Sequence, residues 1–307
     1  MSLPPVILQV FAGIYGLLII ASLVCYGLGL KQRDVTELKQ RINSWWVMVS
    51  VILACFAIGE GFTIAAIGVL SYLAFKEFVS IIPTRRTDHR PIFWAYIAIP
   101  IQFYWIYIGW YGMFIVFIPM YMMLFIPMRM VLIGNTKQFT VAASTINWLL
   151  LLTVFSLGHM AYLIQLPTNE SVFTGLGLVL FLLLLTQFND VAQFTFGKLF
   201  GKNKVLAAVS PKKTIEGLLG GIFATTILAV LLAPLLTPLN LTYSICAGLL
   251  ISLFGFIGDV SISAVKRDLG IKDSGSMIPG HGGVLDRVDS LTFTAPLFFH
   301  FIRYLHY

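Results

Sequence analysis

The chain has 307 residues, 58% of them hydrophobic and 11% charged, and a mean hydropathy of +0.90. A soluble domain carries roughly 25% charged residues, so a water-covered globule, a disordered or collagen-like chain and a nucleic-acid-binding protein are excluded, and a polytopic, all-α transmembrane protein is predicted. Unbroken apolar runs argue against a membrane β-barrel, and the excess of 20 Lys+Arg over 13 Asp+Glu, a net +7, points to topology-marking loops and to contact with anionic lipid or phosphate.

The first apolar run, Val6 to Leu30, has no basic leader and is too long for a secretory core, so it is read as a retained span. Residues 31–44 are read as a basic interfacial helix anchored by Trp45 and Trp46, with a solvated loop as the alternative. From Trp45 to Ile82 the run is interrupted by Gly59-Glu60-Gly61, giving two helices that meet at Glu60 or one long tilted helix. Pro91 to Met128 has room for two helices joined near Gly109–Gly112. Spans follow at 141–166, 171–188, 217–236 and 241–258, and a short apolar run, Leu291 to Tyr307, closes the chain. The total is about ten spans of roughly 20 residues. With ten, the basic loops (31–41, 85–90, 129–137, 189–216 and 259–290) fall on one side, which the positive-inside rule makes cytoplasmic, and Arg303 alone lies opposite. Glu60 and Glu77 are read as interfacial. Cys25, Cys55 and Cys246 are read as small buried hydrophobes, and His159, His300 and His306 as packed or interfacial.

The chemistry concentrates downstream. Residues 1–140 read as transmembrane helices with short connectors, whereas 141–307 carries two polar segments, 189–217 and 259–290. The later one holds what phosphate chemistry needs. Asp259, Asp273, Asp286 and Asp289 are hard-cation ligands. Lys266, Arg267, Lys272 and Arg287 can neutralise phosphate oxygens. Gly280-His281-Gly282-Gly283 lets backbone N–H groups approach an anion, and Ser263 offers a hydroxyl. Asp286 and Asp289, three apart, would share one face at the positive end of the last helix. In the earlier segment, Ser210 or Thr214 would cap a helix beginning near Pro211, with Lys212 and Lys213 projecting where a phosphate could bind. Asp190 and Glu216 accompany them.

These segments resemble the phosphatidate cytidylyltransferase (CDP-diacylglycerol synthase) family. The family pattern is a Ser, Lys-Arg three and four residues on, Lys-Asp, then Pro-x-His-Gly-Gly-x-x-Asp-Arg-x-Asp. It is met by Ser263, Lys266, Arg267, Lys272, Asp273, Pro279, His281, Gly282, Gly283, Asp286, Arg287 and Asp289. Ser210-Pro211-Lys212-Lys213-Thr214 with Glu216-Gly217, and Asp190 followed by Gly197-Lys198, also resemble the family. The likeness covers about 185–300. It departs after Asp190, where the family commonly has Ala-Tyr and this chain has Gln193-Phe194.

The resemblance implies CTP and phosphatidate as substrates, with CDP-diacylglycerol and pyrophosphate as products, in the bacterial inner membrane with the site facing the cytoplasm. It assigns Lys266, Arg267, Asp273, His281 and Arg287 to catalysis. Asp190, Lys198, Ser210, Lys212, Lys213, Glu216, Ser263, Lys272, Gly282 and Gly283 go to substrate binding. Asp259, Asp286 and Asp289 go to Mg²⁺, with K⁺ as an optional second cation. Membrane lipid is the surrounding partner, nucleic acid is not one, and a homodimer stays open. The competing readings are a cytidylyltransferase for another lipid phosphate and a transporter for a phosphate-bearing solute. The transporter would place charges near mid-membrane and show two related halves.

Overall fold

The computed structural model describes residues 3–31, 34–166, 173–280 and 282–306. The chain runs through α1 (Pro5–Leu30), α2 (Thr36–Ile58), α3 (Glu60–Ile81), α4 (His89–Tyr107), α5 (Tyr111–Val131), α6 (Phe139–Gln165), α7 (Gly175–Phe200), α8 (Ile215–Leu236), α9 (Leu241–Asp268) and α10 (Leu291–His306). A single helical turn, Leu285–Val288, precedes α10, and no strand occurs among the described residues. Eight of the ten helices are long and apolar enough to cross a membrane, where ten spans are expected from the sequence; α4 and α10 are the exceptions. Helix α4 dilutes its apolar residues with His89, Arg90, Gln102 and several Tyr and Trp rings. Helix α10 has 16 residues, about 24 Å at ~1.5 Å per residue, against a hydrocarbon core of ~30 Å.

The break between α2 and α3 falls at Gly59, whose φ of 137° only glycine adopts readily. Thr63 Oγ1 donates to the carbonyls of Cys55 and Gly59, both at 3.0 Å, adding a second bond to carbonyls that already accept the Gly59 and Thr63 amides and so bracing the break. Glu60 opens α3 and is exposed. The α4–α5 junction lies at Gly109, within the expected interval, and Tyr162 Oη donates to its carbonyl at 2.7 Å.

Three boundaries differ from expectation for one reason. Polar residues end an apolar run without ending a helix, because the backbone ladder continues wherever propensity allows. Residues 36–44 are the first turns of α2, braced by the Glu37–Arg41 pair, and not a separate interfacial helix. Helix α7 runs on past 188 to Phe200, and α9 past 258 to Asp268, so Asp190, Asp259, Ser263 and Lys266 sit on helices rather than in loops.

Helices α7, α8 and α9 pack in sequence, α10 lies on α9, and the second half of α6 packs on α10 and α3. One buried apolar core runs from Ile7 to Ile302. His159 lies within it, fully buried, its Nδ1 2.8 Å from the Phe155 carbonyl. Cys25 and Cys55 are buried as expected; Cys246 is exposed. Helix α1 buries only Ile7, Phe11 and Cys25.

Candidate active site

The last turns of α9 place Asp259, Ser263 and Lys266 on one face through their i, i+4, i+7 spacing. Ser263 Oγ donates to Asp259 Oδ1 at 3.2 Å. One residue before Asp259, Gly258 admits the 289–290 turn: a Cβ there would stand 2.7 Å from the Asp289 carbonyl oxygen. That turn meets α7, where Asp190 accepts from Ser290 Oγ at 3.1 and 3.2 Å. The Ser290 amide donates to Asp289 Oδ1 at 2.7 Å. Three carboxylates from three parts of the chain, Asp190, Asp259 and Asp289, therefore lie near enough for their charges to act on one another. Burial, then the charges of Asp259 and Asp190, push the Asp289 carboxyl well above the usual carboxylate range.

Asp286 is held differently. Its Oδ1 accepts from Lys266 Nζ at 2.7 Å, and its Oδ2 from the amides of Ser274 at 2.9 Å and Gly283 at 3.0 Å. Burial alone would raise its pKa, but the Lys266 ammonium and the two amides outweigh it and hold the carboxyl below its ordinary value. Gly282 beside it has φ of 79°, and a Cβ there would lie 2.7 Å from Asp286 Oδ2.

The two polar segments close on each other. Lys213 Nζ reaches Asp259 Oδ2 at 2.6 Å and lies 4.6 Å from the centre of the Phe256 ring. Arg267 Nε donates to the Val209 carbonyl at 3.3 Å and Nη1 to that of Ile271 at 3.0 Å, so this guanidinium ties loops together. Thr214, not Ser210, caps α8, accepting from the Gly217 amide at 3.1 Å. Glu216 accepts from the amides of Lys202 and Asn203 and from Asn203 Nδ2, which closes the 201–214 loop. Lys198, Lys212, Lys272 and Asp273 are exposed, and Ser210 is half-buried. The Arg287 carbonyl accepts from Gln187 Nε2 at 3.3 Å, while its Nε is buried without a hydrogen-bond partner among the described residues. His281 lies outside the described residues.

Other contributors are less visible in sequence. Ser290 follows Asp289 directly, and Asn189 precedes Asp190 and bonds Ser252 and Thr225, but neither belongs to the motif as read. Glu77, expected at the interface, is buried and accepts from Ser274 Oγ at 3.0 Å and the Leu285 amide at 2.6 Å. No local signal links α3 to a loop 197 residues downstream. Gln193 is buried against α8 with Nε2 unpartnered among the described residues, and Phe194 is exposed.

Among the described residues, no group of three or more His, Cys, Asp and Glu side chains is gathered tightly enough to hold a metal ion. The donor chemistry is still that of a hard-cation site: three neighbouring carboxylates, one of which burial first, and the charges of the other two second, hold above the usual carboxylate range. A cleft of about 420 Å³ opens between α3, α6 and α9, lined by Phe78, Ile82, Trp148, Leu149, Val265 and Leu269. The Arg85–Asp88 ion pair, 2.6 Å, stands at its edge.

A family model described as the cytidylyltransferase family matches residues 39–305. The uncharacterized protein YnbB of Escherichia coli (strain K12) is 43% identical over 298 residues, 96% of this chain and 98% of YnbB. The phosphatidate cytidylyltransferase of Staphylococcus aureus (strain COL) is 42% identical over 125 residues, 40% of this chain and 48% of that enzyme. That of Staphylococcus haemolyticus is 40% identical over 124 residues, again 48% of the enzyme.

Proposed function

Since the chain belongs to the cytidylyltransferase family, we propose that it transfers CMP from CTP to phosphatidate, giving CDP-diacylglycerol and pyrophosphate, at the cytoplasmic face of a bacterial inner membrane. The observation that carries this reading is the closure of the two polar segments through Lys213 and Asp259. It sets two lysines and an arginine, Lys213, Lys266 and Arg287, around the neighbouring carboxylates. The partial match to named phosphatidate enzymes supports the choice of acceptor.

The chemistry asks little of a base. A phosphatidate phosphate oxygen, ionised at neutral pH, attacks the α-phosphorus of CTP. A new P–O bond forms, the bond to the bridging oxygen of pyrophosphate breaks, and its electron pair leaves with the pyrophosphate. The obstacle is the approach of two polyanions, so positioning and charge neutralisation carry the rate. Lys213 and Lys266 are placed to exchange their carboxylate partners for phosphate oxygens, and Arg287 has a buried donor free to take one. Asp190, Asp259 and Asp289 would hold Mg²⁺, which when bound supplies neutralisation and alignment of phosphate oxygens. Asp286 would join them only if Lys266 withdrew, since both its oxygens are engaged. The cleft between α3, α6 and α9 is the proposed seat of an acyl chain, close to the turn of α9 that carries Lys266.

Purified protein incubated with labelled CTP, phosphatidate and Mg²⁺ tests the proposal. Labelled CDP-diacylglycerol with stoichiometric pyrophosphate is expected. Transfer to another lipid phosphate but not to phosphatidate would favour the alternative acceptor, for which the buried Gln193 donor is the structural motive.

A further inference from the structure

The two limbs of the loop that leads into Asp286, residues 274–275 and 283–285, are gripped by two carboxylates. Asp286 holds them through the amides of Ser274 and Gly283. Glu77, reaching in from α3, holds the same two limbs through Ser274 Oγ and the Leu285 amide, both on Oε2. The loop is shaped around the Glu77 side chain. A Cβ on Gly275 would stand 2.2 Å from Glu77 Oε1, and one on Gly283 would stand 2.3 and 2.4 Å from the two carboxylate oxygens. We infer that Glu77 is a positioning residue for nucleotidyl transfer: by clamping both limbs of this loop it sets Asp286, and through Asp286 the Lys266 ammonium, at the phosphate site.

The chain of contacts is short. Ser274 is the shared link, its hydroxyl on Glu77 and its amide on Asp286. Lys266 is the next, buried and bonded to the other oxygen of Asp286. Among the described residues Glu77 bonds neither Lys266 nor Asp190, Asp259 or Asp289, so it acts through the loop. Both of its donors converge on one oxygen, which an amide carbonyl can replace. The clamp therefore needs an acceptor of the right reach and not a charge.

This inference rests on the proposed transfer activity for its kinetic test, and hydrogen exchange tests the clamp without it. Four full-length variants are compared with the parent in detergent: Glu77→Gln, Glu77→Ala, Glu77→Asp and Ser274→Ala. Glu77→Gln should keep kcat within about threefold, because the acceptor survives. Glu77→Ala and Glu77→Asp should lower kcat by about 30-fold or more with a smaller change in KM for CTP, since displacement by an ångström costs a rate factor of about 10². Ser274→Ala, which leaves α3 untouched, should fall between. Amide exchange over 274–285 should accelerate at least about tenfold in Glu77→Ala, while peptides from α8 are unchanged. Glu77→Gln as damaging as Glu77→Ala would overturn the inference in favour of a charge or ligand role. Loosening throughout the chain, or no loosening at 274–285, would overturn it as well. An inactive parent protein would sink the functional proposal alone, with the exchange pattern still deciding whether Glu77 clamps the loop.

Discussion

Among single residues, the carboxylates divide into two groups with different expected behaviour. Asp259 and Asp289 lie near Asp190 and repel it, so a cation should relieve the repulsion. Asp259→Asn and Asp289→Asn should each lower turnover at least 100-fold, about 3 kcal/mol of lost electrostatic stabilisation. Mg²⁺ should raise the melting midpoint of the parent protein and do so less in Asp289→Asn; equal shifts in both would place the cation elsewhere. Asp286 belongs instead with Lys266, in a pair whose side chains are 7% and 10% exposed. Lys266→Ala leaves a buried carboxylate without its cation and should cost about 3–5 kcal/mol of stability. The double change with Asp286→Ala should cost less than the two singles together. Denaturant unfolding in detergent measures both, and additivity would show that the pair is not coupled. Replacing the exposed Lys202 and Lys204 together should leave turnover near normal. The motif residues were readable because phosphate chemistry restricts residue types at fixed spacing. Their division of labour was not, since Asp259, Asp286 and Asp289 look alike until Lys266 and the loop amides are seen to take one of them.

For helices and turns, hydropathy marks eight segments long and apolar enough to cross a membrane and overcounts at α4 and α10, glycines mark two breaks, and polar ends of helices pass for loops. The cause is physical. A hydropathy window reports partition into lipid, whereas the helical ladder ends where the backbone leaves helical dihedrals, at Gly201, with ψ of 121°, after α7 and near Gly270, with φ of 70°, after α9. The close crossing of α9 and the 289–290 turn was equally hidden, because it depends on the absence of a side chain at Gly258. Gly258→Ala should push that turn away from α9. The expected result is a stability loss of about 1–3 kcal/mol and at least about tenfold lower turnover. An alanine variant with normal turnover would show that the turn has slack. Glu77 could not be placed from sequence, because its partners lie 197 and 208 residues away.

For the whole molecule, the basic loops predict that both polar segments face the cytoplasm. In a Cys246→Ala background, Lys202→Cys and Met277→Cys should resist an impermeant thiol reagent in intact cells and react after permeabilisation. Efficient labelling of either from outside would invert the topology. The 28 residues of α9 span about 42 Å at ~1.5 Å per residue, some 12 Å more than a hydrocarbon core of ~30 Å. Counted from Leu241, the surplus is about the last eight residues, which carry Ser263 and Lys266 and leave Asp259 at the hydrocarbon boundary, so the proposed site lies at headgroup depth. In the proposed reaction a lipid phosphate would meet the nucleotide there while its chains stayed in the bilayer, so the lipid would be sampled in two dimensions. Turnover in mixed micelles should therefore track the mole fraction of phosphatidate at the interface, falling when inert detergent is added at constant bulk phosphatidate. A rate that followed bulk concentration instead would mean that the lipid must desorb before it reacts.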